Sequence, residues 1–458
     1  MDSRAGRPAY ARVAAEAVAG GILGGLVASV LVVAVTSTIK AILAWITDQD
    51  SWVMLTAPLL GVVGAVLLLN LVADGRAAQR VDGAGAPPRR FSAWLRFPAN
   101  AVRADLTSDV VRTAGHEEDF PSRLAPIRAL AIISTVGLGA PMGTESPAAH
   151  LGVAAGSATG SGARHAWLRR LARPAGVGGG AAGVAVLMGL PLVGLVFILE
   201  LGRRSRAPIS LPRVLAATCG ALAGWAINTL LKLDLIRLIV PMTPPNSLWQ
   251  ALVAAILVGI VAGAVSSVTG AAIYQARGWQ AGLVTKLLVG SAALLGCLLA
   301  VSMIATPAAA IGPGAGAITW AESAQVSGGV LLLVAILRAC ATTAAVMAGG
   351  CGGLFVPLLS IGDLCGRALA PGLGVSPDLA ASAGAAGGVA GGYRLPLTAC
   401  AMVLTVGGPL SGRLTCAATV LCAVGAAIPV SYLLDRYVLH RAVTSEPPSA
   451  ASPSTGKH

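Results

Sequence analysis

Apolar stretches long enough to cross a lipid bilayer recur along the whole of this chain, among them Ala17–Ile46, Val53–Val72, Val177–Leu199, Leu248–Ile273 and Leu414–Leu433. Roughly 20 apolar residues, wound as a helix, cover the ~30 Å of a bilayer's hydrocarbon. Backbone polar groups in lipid must be bonded within the protein, which leaves helices or closed barrels. Roughly ten to thirteen such segments can be counted, several of them interrupted by Gly or Pro. Of the 458 residues only 11% are charged and 55% are hydrophobic. That is too little charge to coat a soluble body of this size. The pattern predicts an all-α, multi-pass membrane protein.

The net charge of +13 raises nucleic-acid binding as an alternative. The arginines, however, lie between the apolar runs, at Arg76–Arg103, Arg164–Arg173 and Arg203–Arg213. Basic loops placed that way mark the cytoplasmic side of a membrane protein, so no nucleic-acid partner is expected. The first apolar run follows Arg4, Arg7 and Arg12, and it is too long and lacks the cleavage site for a signal peptide. Residues 1–14 are therefore read as a cytoplasmic head and 15–443 as the membrane domain. The remainder, 444–458, is read as a disordered tail, rich in Ser and Pro. With Arg436 and Arg441 at the far end, both termini are expected in the cytoplasm and the protein in the cell membrane. Eight cysteines are scattered through apolar segments without a CxxC pair. They are read as small buried hydrophobes, and no metal or cofactor is expected.

Two elements repeat in order. Residues 180–192 (GAAGVAVLMGLPL) match 385–397 (AAGGVAGGYRLPL), with identities that include Leu190-Pro191-Leu192 and Leu395-Pro396-Leu397. Upstream of each lies a G-x-x-x-P motif, Gly143-Thr144-Glu145-Ser146-Pro147 and Gly353-Leu354-Phe355-Val356-Pro357. The chain is thus expected to hold two duplicated halves, about 15–240 and 247–443, built of tilted and broken transmembrane helices. The repeat alone does not say whether they are inverted; inverted halves are the expectation. Duplicated halves with Gly- and Pro-interrupted segments point to a transport site near the bilayer midplane.

The motifs suggest which cargo. A small anion is costly in hydrocarbon unless its charge is compensated. A helix N-terminus compensates mildly, with unpaired N–H groups and roughly half a positive charge. Glycine admits an ion close to the backbone, and proline fits a helix's first turn. Both motifs open an apolar segment and satisfy that pattern. Glu145 stands out as a carboxylate between apolar runs. It reads either as a capping acid or as a gate that occupies the anion's place and leaves it when protonated.

These residues resemble the CLC family of chloride channels and proton-coupled chloride transporters. Gly143-Thr144-Glu145-Ser146-Pro147 is similar to the family's G-[KR]-E-G-P, departing at Thr144 and Ser146. Gly352-Gly353-Leu354-Phe355-Val356-Pro357 is similar to G-G-x-F-x-P. Pro191–Glu200 resembles P-L-A-G-x-L-F-x-x-E, and Arg394-Leu395-Pro396-Leu397-Thr398 resembles R-x-P-L-T. The likeness runs from about residue 15 to 443. It implies a CLC-like fold of the bacterial type, without paired cytoplasmic nucleotide-binding-type domains, and a homodimer. Glu145 would be the gating glutamate. The anion-binding set would comprise Gly143, Thr144, Ser146, Gly353, Leu354 and Phe355, with the amides of Leu354 and Phe355 on the central ion. For the family's pore serine the candidate is Ser108, and for its inner tyrosine Tyr437, with Tyr432 as the alternate.

The family's antiporters carry a second glutamate after the position of Glu200, where this chain has Leu201. Glu200 is the remaining proton-pathway candidate. Its alternative is helix packing or a pair with Arg203 or Arg204. The departure favours passive or weakly coupled chloride movement, with tightly coupled H+/Cl− antiport as the alternative. Arg338 is read as half of a buried ion pair, and Asp363 is given no role. An intramembrane enzyme is the remote alternative. None of the five His pairs with an acid at helical spacing on an apolar span, and His150 follows Glu145 by five residues.

Overall fold

The computed structural model describes residues 7–74, 97–98, 105–160, 165–233, 235, 240, 242–406 and 413–437. Among these, nearly all regular structure is helical, and a two-residue parallel pairing of Ala73–Asp74 with Phe97–Pro98 is the exception. The first set of helices runs α1 (Arg7–Thr47), α2 (Ser51–Val72), α3 (Leu106–Arg112), α4 (Ala125–Ile132), α5 (Glu145–Ala158), α6 (Ala166–Met188), α7 (Pro191–Arg204) and α8 (Leu211–Leu230). The second runs α9 (Leu248–Gly278), α10 (Leu283–Ile304), α11 (Pro307–Ala310), α12 (Ala315–Ser323), α13 (Gly328–Met347), α14 (Phe355–Leu373), α15 (Pro377–Gly392), α16 (Pro396–Val406) and α17 (Leu414–Tyr437). The disordered tail expected after residue 443 lies outside the described residues, and α1 already begins at Arg7, inside the expected head.

The two sets are copies. Helices α1, α6 and α8 pack on one another as α9, α15 and α17 do, and α5 lies on α6 as α14 lies on α15. Both of the latter pairs meet backbone to backbone. Gly152 faces Gly179 in the first, and Gly362 faces Gly384 in the second, leaving no room for a Cβ at any of the four. Small residues that let helices approach this closely are the main packing device in lipid, where burial from water offers little. The turns ahead of the two Gly–Pro motifs match residue for residue. Gly139 and Gly349 both take left-handed backbone, at φ 86° and 101°. Their N–H groups donate to Val136 and Val346, each at 3.1 Å. The next amides, of Ala140 and Gly350, donate to Thr135 and Ala345 at 3.1 and 2.9 Å. Every partner in one copy is the partner in the other shifted by 210 positions.

Among the described residues, seven helices are long and apolar enough to cross a membrane: α1, α2, α6, α9, α10, α13 and α17. The larger count expected from hydropathy arises because shorter apolar helices are strung end to end. The stretch Val177–Leu199, read as one span, is two helices. Gly189 leaves α6 in left-handed backbone at φ 68°, and Pro191 opens α7 where its missing N–H costs nothing. The eight cysteines are free. Only Cys365 and Cys416 are fully buried, and Cys340 is exposed, so the buried reading holds for a minority.

Candidate functional site: two helix starts and a buried glutamate

The two Gly–Pro motifs meet. Gly143 N–H donates to the Gly353 carbonyl and Gly353 N–H to the Gly143 carbonyl, both at 2.7 Å, as a reciprocal antiparallel bridge between equivalent residues. From this junction α5 and α14 start with the same geometry. Their preceding residues, Thr144 and Leu354, hold φ/ψ of −109°/−9° and −116°/−5°, and neither side chain caps its helix. Pro147 and Pro357 both take the third helical position, where no N–H is needed. The first-turn amides of both helices therefore remain available, together with the positive ends of two helix dipoles. Gly143 and Gly353, both in the expected anion-binding set, use their amides to join the motifs.

Glu145 lies on this junction and is only 2% exposed. The backbone N–H groups of Thr144, Glu145 and Val356 surround its carboxylate. Neither oxygen is in hydrogen-bonding geometry with a described residue. A Cβ on Gly143 would stand 2.5 Å from Glu145 Oε2 and 3.3 Å from Pro357 Cδ. Glycine there is what lets the carboxylate fold back over the junction. On one side Glu145 and Thr144 line a cavity of about 340 Å³, walled by the C-terminal part of α1, by Val356 and by the loop from Ile311 to Pro313.

A hydroxyl cluster lies next along the same helix start. Ser146 Oγ is 2.5 Å from Tyr393 Oη, which is 2.7 Å from Thr107 Oγ1. The Tyr393 ring meets Phe355 edge-on at 5.9 Å, and Phe355 meets Phe197 at 6.1 Å. Three contacts anchor the turn carrying Tyr393. Arg204 donates to the Tyr393 carbonyl, Arg394 pairs with buried Asp435, and Glu200 accepts from the start of α16. Thr107 is held by α3, which is tied inward by buried Asp109 and Arg128 at 2.5 Å. Arg128 in turn donates to His150 Nε2 at 3.1 Å, and His150 Nδ1–H donates to the Leu106 carbonyl at 3.2 Å.

The two sides face opposite ways. The chain just past α7, at Ser205 and Arg206, shares a cleft with the beginning of α1, at Val13, Glu16 and Ala17. The cavity above Glu145 is lined by the last turns of α1. From the α1 end to the Arg204 end, the order is cavity, Glu145, motif junction, Ser146 and Phe355, Tyr393 and Thr107. Residues 92–428 match the protein family described as voltage gated chloride channel. The chain belongs to that family.

Among relatives of the CLC family, the H(+)/Cl(-) exchange transporter ClcA of Yersinia pestis bv. Antiqua (strain Angola) is 27% identical over 311 residues, covering 62% of this chain and 60% of the relative. The protein of the same name from Salmonella typhi is 27% identical over 300 residues, covering 62% and 61%. The chain thus matches about three fifths of the length of these relatives. A slow cyanobacterial Cl−/H+ antiporter shares the fold with a TM-score of 0.66 at 21% identity, over 93% of this chain and 98% of that one. A CLC-type fluoride/proton antiporter does so with a TM-score of 0.65 at 19% identity, over 92% and 95%.

Several residues singled out by the family resemblance stand elsewhere. Ser108 is exposed and its hydroxyl donates to the Asp105 carbonyl at 2.7 Å, so its neighbour Thr107 is the one turned to the junction. Tyr437 is 62% exposed at the end of α17, with Arg436 over its ring, and Tyr432 is exposed as well. Tyr393 is the tyrosine whose hydroxyl reaches the start of α5, beside Ser146 and Thr107. Its sequence signal is slight: one aromatic in a Gly- and Ala-rich segment, just before Arg394-Leu395-Pro396. Glu200 caps α16, Oε1 accepting from Leu397 N–H at 3.0 Å and Oε2 from Thr398 N–H and Oγ1 at 2.8 and 2.7 Å. The alternative pairing with Arg203 or Arg204 is not among its direct contacts with described residues; Arg204 donates to the Tyr393 carbonyl instead. Arg338 is buried, and among the described residues it has no ion pair with an acid. It donates to the carbonyls of Ala309, Ala310 and Gly312 at 2.5, 3.2 and 2.9 Å, at the C-terminal end of α11 and just beyond it, where the last carbonyls of a helix lack intrahelical partners.

Proposed function

We propose that this chain moves chloride across the cell membrane through the junction of the two motifs, in exchange for protons, with Glu145 as the gate. The observation that carries the proposal is the Glu145 carboxylate, buried without a hydrogen bond among the described residues, where two helix starts converge. An anionic side chain in a site of positive helix ends is a stand-in for an anion. Ionised, it fills the site; protonated, it has no reason to stay, and chloride takes its place. The same carboxylate then carries the proton. Exchange is favoured by the names of the matched relatives. The amides of Leu354 and Phe355 and the hydroxyls of Ser146, Tyr393 and Thr107 would line the path beyond the gate. We further propose a homodimer with both termini in the cytoplasm, supported by the family resemblance and by the arginine-rich loops.

Passive movement remains the second reading, on one observation. Leu201 is a buried apolar residue, and Glu200 is fully engaged by α16, so neither is an evident inner proton station. Purified protein in liposomes, with chloride and proton fluxes recorded together, separates the two. A chloride gradient should drive protons uphill, and chloride flux should rise as pH falls. Glu145→Gln should leave chloride flux independent of pH and abolish proton movement. A mutant that keeps the wild-type pH dependence would remove Glu145 from the gate. Wild-type chloride flux with no proton movement would establish the passive reading.

A further inference from the structure

The cleft on the face where α1 begins, away from the motif junction, encloses about 670 Å³. Three long helices start around it. Its wall takes Val13 and Glu16 from α1, Arg170 and Arg173 from the first turns of α6, and Arg213 from the first turn of α8. Each helix points the positive end of its dipole to this face. Ser210, ahead of α8, also lines the cleft, and its side chain does not cap the helix, so first-turn amides stay open there. The cleft stands at the lipid boundary. Glu16 is followed by 23 uncharged residues before Lys40, about 34 Å of helix, which places Glu16 at one edge of the hydrocarbon. Exposed Tyr10 and Trp167, near the starts of α1 and α6, suit the same level.

Five arginines line the cleft, Arg112, Arg170, Arg173, Arg206 and Arg213, against two acids, Glu16 and Glu117. Both acids are shared. Glu16 lies 3.1 Å from Arg12 and 3.8 Å from Arg170, and Glu117 lies 2.7 Å from Arg213 and 4.0 Å from Arg173. Arg173 also reaches Glu118 at 3.5 Å, and Arg112 pairs at 2.6 Å with Asp109, which Arg128 shares. Even with Arg128 left aside, six guanidiniums meet four carboxylates. Arg206 is the one without an acid: its exposed side chain makes no ion pair with a described residue. Its backbone is left-handed, at φ 59°, which is unfavourable for any residue with a Cβ and easy for glycine. An arginine kept at such a position points to a use for its charge.

We propose that this cleft binds a phosphate group, carried by the headgroup of an acidic phospholipid in the adjoining leaflet or by a soluble phosphate arriving from the same side. Guanidinium forks match phosphate oxygens in paired hydrogen bonds, and helix N-termini favour the same charge. Basic pockets between membrane helices at headgroup depth suit lipid phosphates. Arg206 supplies the uncommitted charge. Half-exposed Arg170 and Arg173, whose acids stand 3.5 Å or more away, are the arginines able to turn to the ligand beside it. Binding here is independent of the chloride-transport reading.

The test offers full-length protein mixed micelles of phosphatidylcholine and phosphatidylglycerol, and native mass spectrometry counts the phospholipid retained per chain. Wild type should retain phosphatidylglycerol in preference to phosphatidylcholine. Arg206→Gly should weaken that retention about fivefold, and Arg206→Lys should keep most of it. Because glycine takes the left-handed turn freely, Arg206→Gly should melt no lower than wild type in phosphatidylcholine alone, which separates a lost charge from a lost fold. Excess inorganic phosphate distinguishes the sources. Retention of phosphatidylglycerol that survives it identifies the lipid headgroup as the occupant. Phosphate that displaces the lipid, and raises the melting temperature of wild type but not of Arg206→Gly, identifies a soluble phosphate. Equal retention of both lipids by wild type, with melting unmoved by phosphate, would overturn the inference. So would a lipid preference or phosphate effect that is the same in Arg206→Gly as in wild type.

Discussion

Glu200 offers a choice between structure and proton transfer that one substitution decides. Its carboxylate accepts three hydrogen bonds, from Leu397 N–H at 3.0 Å, Thr398 N–H at 2.8 Å and Thr398 Oγ1 at 2.7 Å. It thereby ties α7 of one copy to the start of α16 of the other. Glu200→Gln keeps the shape but turns one acceptor oxygen into an NH2 group that must face an amide N–H. One charge-assisted bond is lost and its donor is left buried, at about 1–3 kcal/mol. The surviving bonds fall from charged to neutral strength, at about 1 kcal/mol in all. The lost attraction to the α16 dipole contributes about 0.5 kcal/mol more. A total of about 3 kcal/mol should appear as a melting temperature several degrees below wild type in detergent, with proton coupling altered no more than chloride flux. If Glu200→Gln melts with the wild type while proton movement disappears, the cap is incidental and Glu200 is a proton station.

The other expectations concern the inner hydroxyls and the duplicated packing. Tyr393→Phe keeps the ring against Phe355 but removes the hydroxyl shared by Ser146 and Thr107. The loss of about 1 kcal/mol of closure should speed chloride flux and loosen its coupling to protons, whereas Ser108→Ala and Tyr437→Phe should leave flux unchanged in the same liposome assay. Gly152→Ala and Gly362→Ala each push a Cβ into the backbone of the facing helix. Each should cost about 3 kcal/mol and lower yield and melting temperature alike, while Gly296→Ala, with nothing within 4 Å, should not.

Much of this arrangement could be read in the sequence, and the reasons are local. A helix start is written in five consecutive residues, so Gly143–Pro147 and Gly353–Pro357 were legible, as was the oddity of a carboxylate at Glu145. Duplication was visible in the LPL segments because their identities are contiguous. It runs further than the letters show. Gly152 with Gly179 and Gly362 with Gly384 are equivalent contacts between helices, which no single stretch displays. The inner hydroxyl cluster was missed for the same reason: Tyr393 meets Ser146 and Thr107 across 247 and 286 residues. Thr107 and Ser108 differ only in helical phase, which the short α3 does not announce. Hydropathy also ran Val177–Leu199 together, because Gly189 and Pro191 break the helix without interrupting its apolar character. For Arg338 a buried ion pair is the sequence expectation, and for Glu200 a proton path, with helix packing or a pair with Arg203 or Arg204 as the alternative. Their partners are backbone groups left unsatisfied at helix ends, which only the packing of distant helices reveals.

The central claim is that an anion binds where the two motif helices begin and that Glu145 takes its place when ionised. Anomalous diffraction from bromide-soaked crystals of wild type and Glu145→Gln tests this directly. Wild type should show bromide within hydrogen-bonding reach of the Leu354 and Phe355 amides. The mutant should add a second peak beside Gly143 and Val356, at the position the carboxylate leaves. Bromide elsewhere in both crystals, with none at the junction of Gly143 and Gly353, would contradict the account.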